Sequence, residues 1–268
     1  MLDSVGLKAL RDLRRGFAWW ALGLAGMVAM QMTVYPTVRD DPGFKSLTEN
    51  YPQVLKDLFG FGGRDFDYTS AAGYLGIELF SLVVPLLLII AAVATGAGAI
   101  AGEEERGTMD LLLSLPLSRR RVAAEKLAAM VAEIVGLCLV LLAALWIGAR
   151  AVGMAISLQN LTAAAAAVAL LAIGFGAIAL FVGAATGSRG TAIGVTAALA
   201  VAAYLVNSLA AIVSQLGSLQ KLTPFYHYES PDPLRNGFAG GHLAVLLLVF
   251  AIGAIGALVV VDRRDIRT

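Results

Sequence analysis

The residues able to carry chemistry are few, and most sit at the ends of long apolar runs. Two carboxylates, Glu78 and Glu133, fall inside or beside such runs. A carboxylate exposed to lipid costs several kcal/mol, which makes each a candidate for proton or cation handling. At 1.5 Å rise per residue Glu133 lies only ~10 Å from the charged end of its run, so a structural reading is favoured: it snorkels to the boundary or pairs with a base. Gln31, Thr33, Asn207 and Ser208 are uncharged polar groups near the opposite ends of their runs. They are candidates to line a substrate path, against the commoner use of such groups in hydrogen bonds between helices. His227 stands among aromatics and prolines in "TPFYHYESPDP" and reads as an interfacial anchor in preference to a metal or substrate ligand. His242 is a helix-start residue with no visible partner. The single cysteine, Cys138, reads as a small core residue, since it can form neither an intrachain disulfide nor a multi-cysteine metal site. No metal site is assigned. The sequence contains no GxxxxGK[ST] nucleotide loop, no HExxH and no GxSxG, so the chain is not expected to be an enzyme.

These groups have to be positioned by membrane helices. Hydrophobic residues make up 59% of the 268 and charged residues only 15%. The mean hydropathy of +0.79 lies outside the range of soluble globular domains. A hydrocarbon core about 30 Å thick takes roughly 20 apolar residues per helix, and six uncharged windows of that length occur. They fall at about 17–34, 74–100, 127–149, 161–186, 191–214 and 241–261, within a single transmembrane domain spanning 1–268. Strand alternation is absent, which excludes a membrane barrel. The first window is too long for a cleavable signal peptide and lacks its cleavage pattern, so it is expected to stay as a helix. With the N-terminus in the cytoplasm, thirteen of the twenty Lys and Arg fall on the inner side, most of them in short segments. Both termini are therefore expected to be cytoplasmic. A net charge of +1 gives no field that would attract nucleic acid.

Before the first window, Leu2, Ala9, Leu10 and Leu13 share one helical face, with Lys8, Arg11, Asp12 and Arg15 mostly elsewhere. An amphipathic helix on the inner membrane surface is expected there, or a basic flank that only fixes topology. Two outer segments, 35–73 and 215–240, are expected to hold short helices. In the first, Phe44, Leu47, Tyr51, Val54, Leu55 and Leu58 recur at helical spacing, with Asp41 or Asn50 as caps and Pro42 or Pro52 in the first turn. GxxxG spacing occurs at Gly98/Gly102, Gly183/Gly187 and Gly190/Gly194, but 29 glycines produce about as many such pairs by chance, so the pattern says little.

The inner segment "AGEEERGTMDLLLSLPLSRRRVAAEK" breaks the apolar pattern with ten charged residues in twenty-six, acids first and bases last. Glu103, Glu104 and Glu105 suit the positive first turn of a helix, Met109, Leu112 and Leu113 give it an apolar face, and Pro116 ends it. Ser118 is placed to cap a second helix running through Arg119, Arg120 and Arg121 into the third window. A topology-fixing loop would need the bases but not three consecutive glutamates or the Leu run. The segment reads as a docking element for a cytosolic partner.

This segment closely resembles the loop between spans two and three of type 2 ABC transporter permeases. Glu104, Glu105, Gly107, Thr108, Leu112, Leu113, Pro116, Ser118, Arg119, Glu125 and Lys126 occupy its signature positions. The likeness extends along the whole chain, through an inner N-terminal helix, six spans and a large first outer loop. It implies an all-α integral membrane protein with an N-terminal elbow helix and a coupling helix between spans two and three. It further implies a multi-pass permease of the cytoplasmic membrane that dimerises with itself or a related chain and binds two cytosolic ATPase subunits encoded separately. ATP and Mg are then used by the partner, and this chain binds no cofactor. By the same resemblance the coupling contact comprises Glu103, Glu104, Glu105, Arg106, Gly107, Thr108, Met109, Leu112, Leu113, Pro116, Ser118 and Arg119. A second, smaller contact is Gly187, Ser188, Arg189 and Gly190. Export is the implied direction, and the substrate is not readable. The rival readings are a secondary transporter, which would want more polar groups at mid-membrane, and a membrane anchor that recruits a cytosolic protein.

Overall fold

The computed structural model describes residues 5–41, 43, 67–107, 118–210 and 213–263, and all regular structure among them is helical. Six helices are long and apolar enough to cross a membrane: Lys8–Asp40, Ala71–Ala99, Arg119–Ala151, Leu158–Thr186, Arg189–Leu209 and Gly240–Arg263. In lipid every backbone N–H and C=O needs an internal partner, and an unbroken helix supplies one to all but its ends. The elements in chain order are α1 (Val5–Asp40), α2 (Ala71–Leu75), α3 (Val83–Ala99), α4 (Ala101–Glu105), α5 (Arg119–Ala151), α6 (Leu158–Thr186), α7 (Arg189–Leu209), α8 (Gly217–Gln220), α9 (Pro224–Glu229), α10 (Pro233–Asn236) and α11 (Gly240–Arg263). The helices α8, α9 and α10 are short helices within 215–240, where short helices were expected. Those expected between 44 and 58, with Asn50 and Pro52, lie outside the described residues, as does Pro42. Asp41 Oδ1 accepts from the Gly43 N–H at 2.6 Å.

Two boundaries differ from the expectation. The first window was expected to end near 34 and to be preceded by a surface helix or a basic flank. Instead α1 is one helix of 36 residues that includes Pro36 and the amphipathic start. The second span is broken. A π turn, Gly76–Phe80, in which the Ser81 N–H donates to the Gly76 carbonyl at 2.7 Å, separates α2 from α3. The physical cause lies downstream: Pro85 has no N–H to donate, and its ring would clash with the carbonyl of residue 81 in a continued helix. The helix unwinds at Ser81 and Leu82 and restarts at Val83.

Helix α6 is the axis of the bundle, packed by α3, α5, α7, α10 and α11. Its buried face is mostly alanine and glycine, including Ala164, Ala167, Ala172, Gly174, Gly176 and Ala179. Small residues let helix backbones approach closely where lipid supplies no hydrophobic drive between helices. The tightest crossing is with α3, where a Cβ added to Gly96 would sit 2.2 Å from the carbonyl oxygen of Gly176. A second crossing, with α11, brings the same hypothetical atom on Gly253 within 2.9 Å of the Ala177 backbone. Neither lies in the GxxxG pairs visible in the sequence. At Gly98 and Gly102 the nearest atoms are arginine side chains, and Gly194 faces open space.

At the end of the bundle opposite the termini, α9 is locked to the broken span. Thr223 caps α9 and Pro224 occupies its first turn. The buried Tyr228 then donates its phenol to the carbonyl of Phe80, in the π turn, at 2.6 Å. Burial, with the Glu229 charge beside it, raises the Tyr228 pKa well above its usual value and keeps it a neutral donor. Tyr228→Phe leaves the Phe80 carbonyl unpaired and is expected to cost about 1–3 kcal/mol, read as a lower unfolding midpoint in detergent micelles with secondary structure unchanged.

Candidate functional site

The charged stretch begins where the second span ends. Helix α4 holds Glu103, Glu104 and Glu105 and closes at the turn Arg106–Gly107, where the Gly107 N–H donates to the Glu104 carbonyl at 3.0 Å. Gly107 has φ of +65°, a conformation open to glycine at no steric cost. Thr108, Met109, Leu112, Leu113 and Pro116 lie outside the described residues. The chain returns at Ser118, whose hydroxyl accepts from the Arg121 N–H at 3.3 Å and caps α5 as its position in the sequence suggested. Arg119 opens α5, half-buried.

The acids and bases of the stretch hold the same end of the bundle together. Glu103 Oε1 receives Lys126 Nζ at 2.6 Å, and both side chains are nearly buried, 13% and 14% exposed. Arg106 reaches the same oxygen at 3.4 Å. Glu105 Oε1 accepts from the backbone N–H of Arg189 at 2.8 Å. That donor is one of the orphan N–H groups of the first turn of α7, where a carboxylate also meets the positive end of the helix dipole. The structure therefore brings together the two stretches expected to touch a partner, α4 and the turn 187–190.

In that turn Gly187, with φ of +68°, ends α6, and Ser188 caps α7 by accepting from the Thr191 N–H at 3.3 Å. Gly190 lies in the first turn of α7. The side chain of Arg189 runs past Gly98 and Gly102, which leave space for it. Two further links complete the set. Glu125 accepts from the Gly6 N–H at 2.8 Å, tying α1 to α5. Arg120 pairs with Asp262 at 3.1 Å, tying α5 to α11. The Arg120 pair is exposed and of small energetic weight, the Glu125 bond is part-buried, and both fix geometry.

The intramembrane carboxylates are placed differently from each other. Glu133 is buried and accepts from the Thr95 hydroxyl at 2.7 Å. The expectation that it snorkels or pairs with a base is corrected: its partner is a neutral hydroxyl on α3. Glu78 sits in the π turn and accepts from the Tyr68 phenol at 2.5 Å and from Gln31 Nε2 at 3.3 Å. Tyr74 donates to Gln31 Oε1 at 2.8 Å and stacks between Tyr35 and Tyr68. Burial, together with the hydrogen bond to Glu78, raises the Tyr68 pKa well above its usual range. Tyr68 and Tyr74 carry no sequence signal for this role beyond their aromatic type.

The four candidates for a substrate path fall in separate places. Gln31 belongs to the Glu78 cluster. The Thr33 hydroxyl turns back to the Met30 carbonyl of its own helix at 2.7 Å. Asn207 is buried, donates to Glu229 at 2.7 Å and accepts from Gln220 at 3.3 Å, joining α7 to α8 and α9. Ser208 is half-buried beside it. His242 does have a partner, contrary to expectation: its Nδ1 is 3.2 Å from Nδ1 of His227. Among the described residues no group of three or more His, Cys, Asp and Glu is placed to hold a metal ion.

A comparison with curated proteins finds no match. A family model described as "ABC-2 family transporter protein" matches residues 4–236. With six membrane-length helices and a family match over most of its length, the chain belongs to the ABC-2 family of transporter proteins, as a non-catalytic, multi-pass membrane permease.

Proposed function

We propose that this permease works with two copies of a separately encoded ATPase and with a second permease protomer, and that it exports its substrate across the cytoplasmic membrane. Residues 101–126 face the cytosol and dock in a cleft of the ATPase, and Gly187 to Gly190 form a smaller contact beside them. ATP is hydrolysed by the partner, and its closure pulls on α4 and on the start of α5. The observation that carries this reading is the Glu105 to Arg189 hydrogen bond together with the Glu103 to Lys126 ion pair. Through them a force on α4 reaches α7 and α5 directly. The Arg120 to Asp262 and Glu125 to Gly6 contacts extend it to α11 and α1. Of the four polar candidates for a substrate path, Thr33 and Ser208 keep exposed surface, whereas Gln31 and Asn207 are committed to partners within the protomer.

Co-expression with an ATPase encoded beside this chain, followed by affinity purification through the permease, tests the partnership. The ATPase is expected to be retained in detergent at equal numbers of subunits. A permease that purifies well folded and free of it would point instead to a membrane anchor for some other protein.

A further inference from the structure

The two histidines of the chain lie fifteen positions apart and meet at the outer end, where α9 packs on the start of α11. His227 Nε2 is 2.9 Å from the carbonyl of Lys221. A carbonyl only accepts, so this nitrogen carries a proton, and in the neutral ring Nδ1 of His227 is then a bare lone pair. That lone pair points at Nδ1 of His242, 3.2 Å away.

We propose that this pair is a binding site for a divalent late transition-metal ion such as Zn²⁺ or Cu²⁺, held by the Nδ1 atoms of His227 and His242. Three observations converge on it. Nitrogens bound to zinc lie about 2.0–2.1 Å from it, and a tetrahedral angle then separates two of them by about 3.4 Å, close to the spacing already present. The backbone carbonyl on His227 Nε2 is the outer-shell partner that metal-bound histidines usually have, and it fixes both tautomer and ring direction. Both rings pack against Tyr226, with centroids 5.3 and 5.9 Å from it, so neither is free to swing.

The surroundings favour an ion over an organic ligand. Both histidines line a small surface pocket of about 10 Å³, partly open to solvent, whose other walls include Ala163, Ala167, Phe238 and Leu243. Tyr228 also lines it, but its hydroxyl is committed to the Phe80 carbonyl. Two imidazole nitrogens are thus the converging ligands, and water entering from the open side fills the remaining positions. Binding needs no loss of a proton from the pair: His242 keeps its ring proton by carrying it on Nε2 in place of Nδ1. The ion would cross-link α9 to α11 and, through Tyr228, to the broken second span. This site stands apart from the ATPase docking stretch and does not depend on it.

The test uses the full chain, purified without a polyhistidine tag and placed in lipid nanodiscs, with Cu²⁺ and Zn²⁺ as probes. Equimolar Cu²⁺ is expected to give an electron paramagnetic resonance spectrum with hyperfine structure from two nitrogens. Zn²⁺ is expected to raise the unfolding midpoint, because it binds the folded state alone. His227→Ala and His242→Gln should each weaken Zn²⁺ binding at least about tenfold, a change of about 1.4 kcal/mol, and abolish the midpoint shift. Retention of the metal-free unfolding midpoint in at least one variant shows that the fold survives. Wild type that takes up no ion at tenfold excess, or a Cu²⁺ spectrum unchanged in both variants, would overturn the proposal.

Discussion

Gly96→Ala is expected to disrupt the centre of the bundle. The added methyl would lie 2.2 Å from the Gly176 carbonyl oxygen and 3.1 Å from its carbon, and backbone cannot swing aside as a side chain can. The α3 and α6 axes would have to part by more than an ångström, which breaks the close packing of Ala92 and Met130 around the same crossing. Overpacking in a well-filled core costs typically 1–3 kcal/mol, and a clash with backbone on both sides places this change at about 3 kcal/mol or more. The measurement is the unfolding midpoint in mixed micelles, with Gly23→Ala as the matched control. Gly23 also lies in a membrane helix but has nothing within 4 Å of the added carbon, so that variant should unfold like the parent. Equal stability of the two variants would show that the crossing is looser than described.

Lys126→Met is expected to cost about 3 kcal/mol, because removing one member of a nearly buried ion pair strands the other charge. Glu103 keeps Arg106, 3.4 Å away and more than half exposed, which offsets part of the loss. The sign of the second substitution makes the test specific. Adding Glu103→Gln to Lys126→Met removes the stranded charge and should recover most of the stability, since a buried pair replaced as a unit is nearly neutral. If the double variant is no more stable than Lys126→Met alone, the cost lies in lost packing of the lysine stem and not in charge.

The six spans were legible because lipid demands about 20 apolar residues per crossing and forbids unpaired backbone, so local composition suffices. Ser118 as a helix cap was legible for a similar reason, since a cap acts within three residues. What could not be read were features set by residues far apart in the chain. The first apolar window stopped near 34, yet α1 continues through Pro36 to Asp40. The proline that does break a helix is Pro85, whose effect appears four residues upstream, in the π turn and bend. GxxxG spacing said little, and the contact that needs glycine joins Gly96 to Gly176, eighty residues on. Spacing along one helix does not say which face meets another. Glu133 shows the same limit: its hydroxyl partner, Thr95, is 38 residues away on a different helix. At the charged stretch, the pairings of Glu103 with Lys126 and of Glu105 with Arg189 had to come from the fold.

The central claim is that residues 101–126 transmit work between this permease and an ATPase. The direct measurement is ATP turnover by the assembled complex in lipid, compared between the parent and the Glu104→Lys/Glu105→Lys variant, with Glu105→Gln as a control that keeps an acceptor for the Arg189 N–H. The variant is predicted to insert into the membrane and to lose permease-dependent stimulation of turnover by at least about tenfold, equivalent to about 1.4 kcal/mol of coupling. The control should stay near the parent rate. Undiminished stimulation in the charge-reversed variant would contradict the claim.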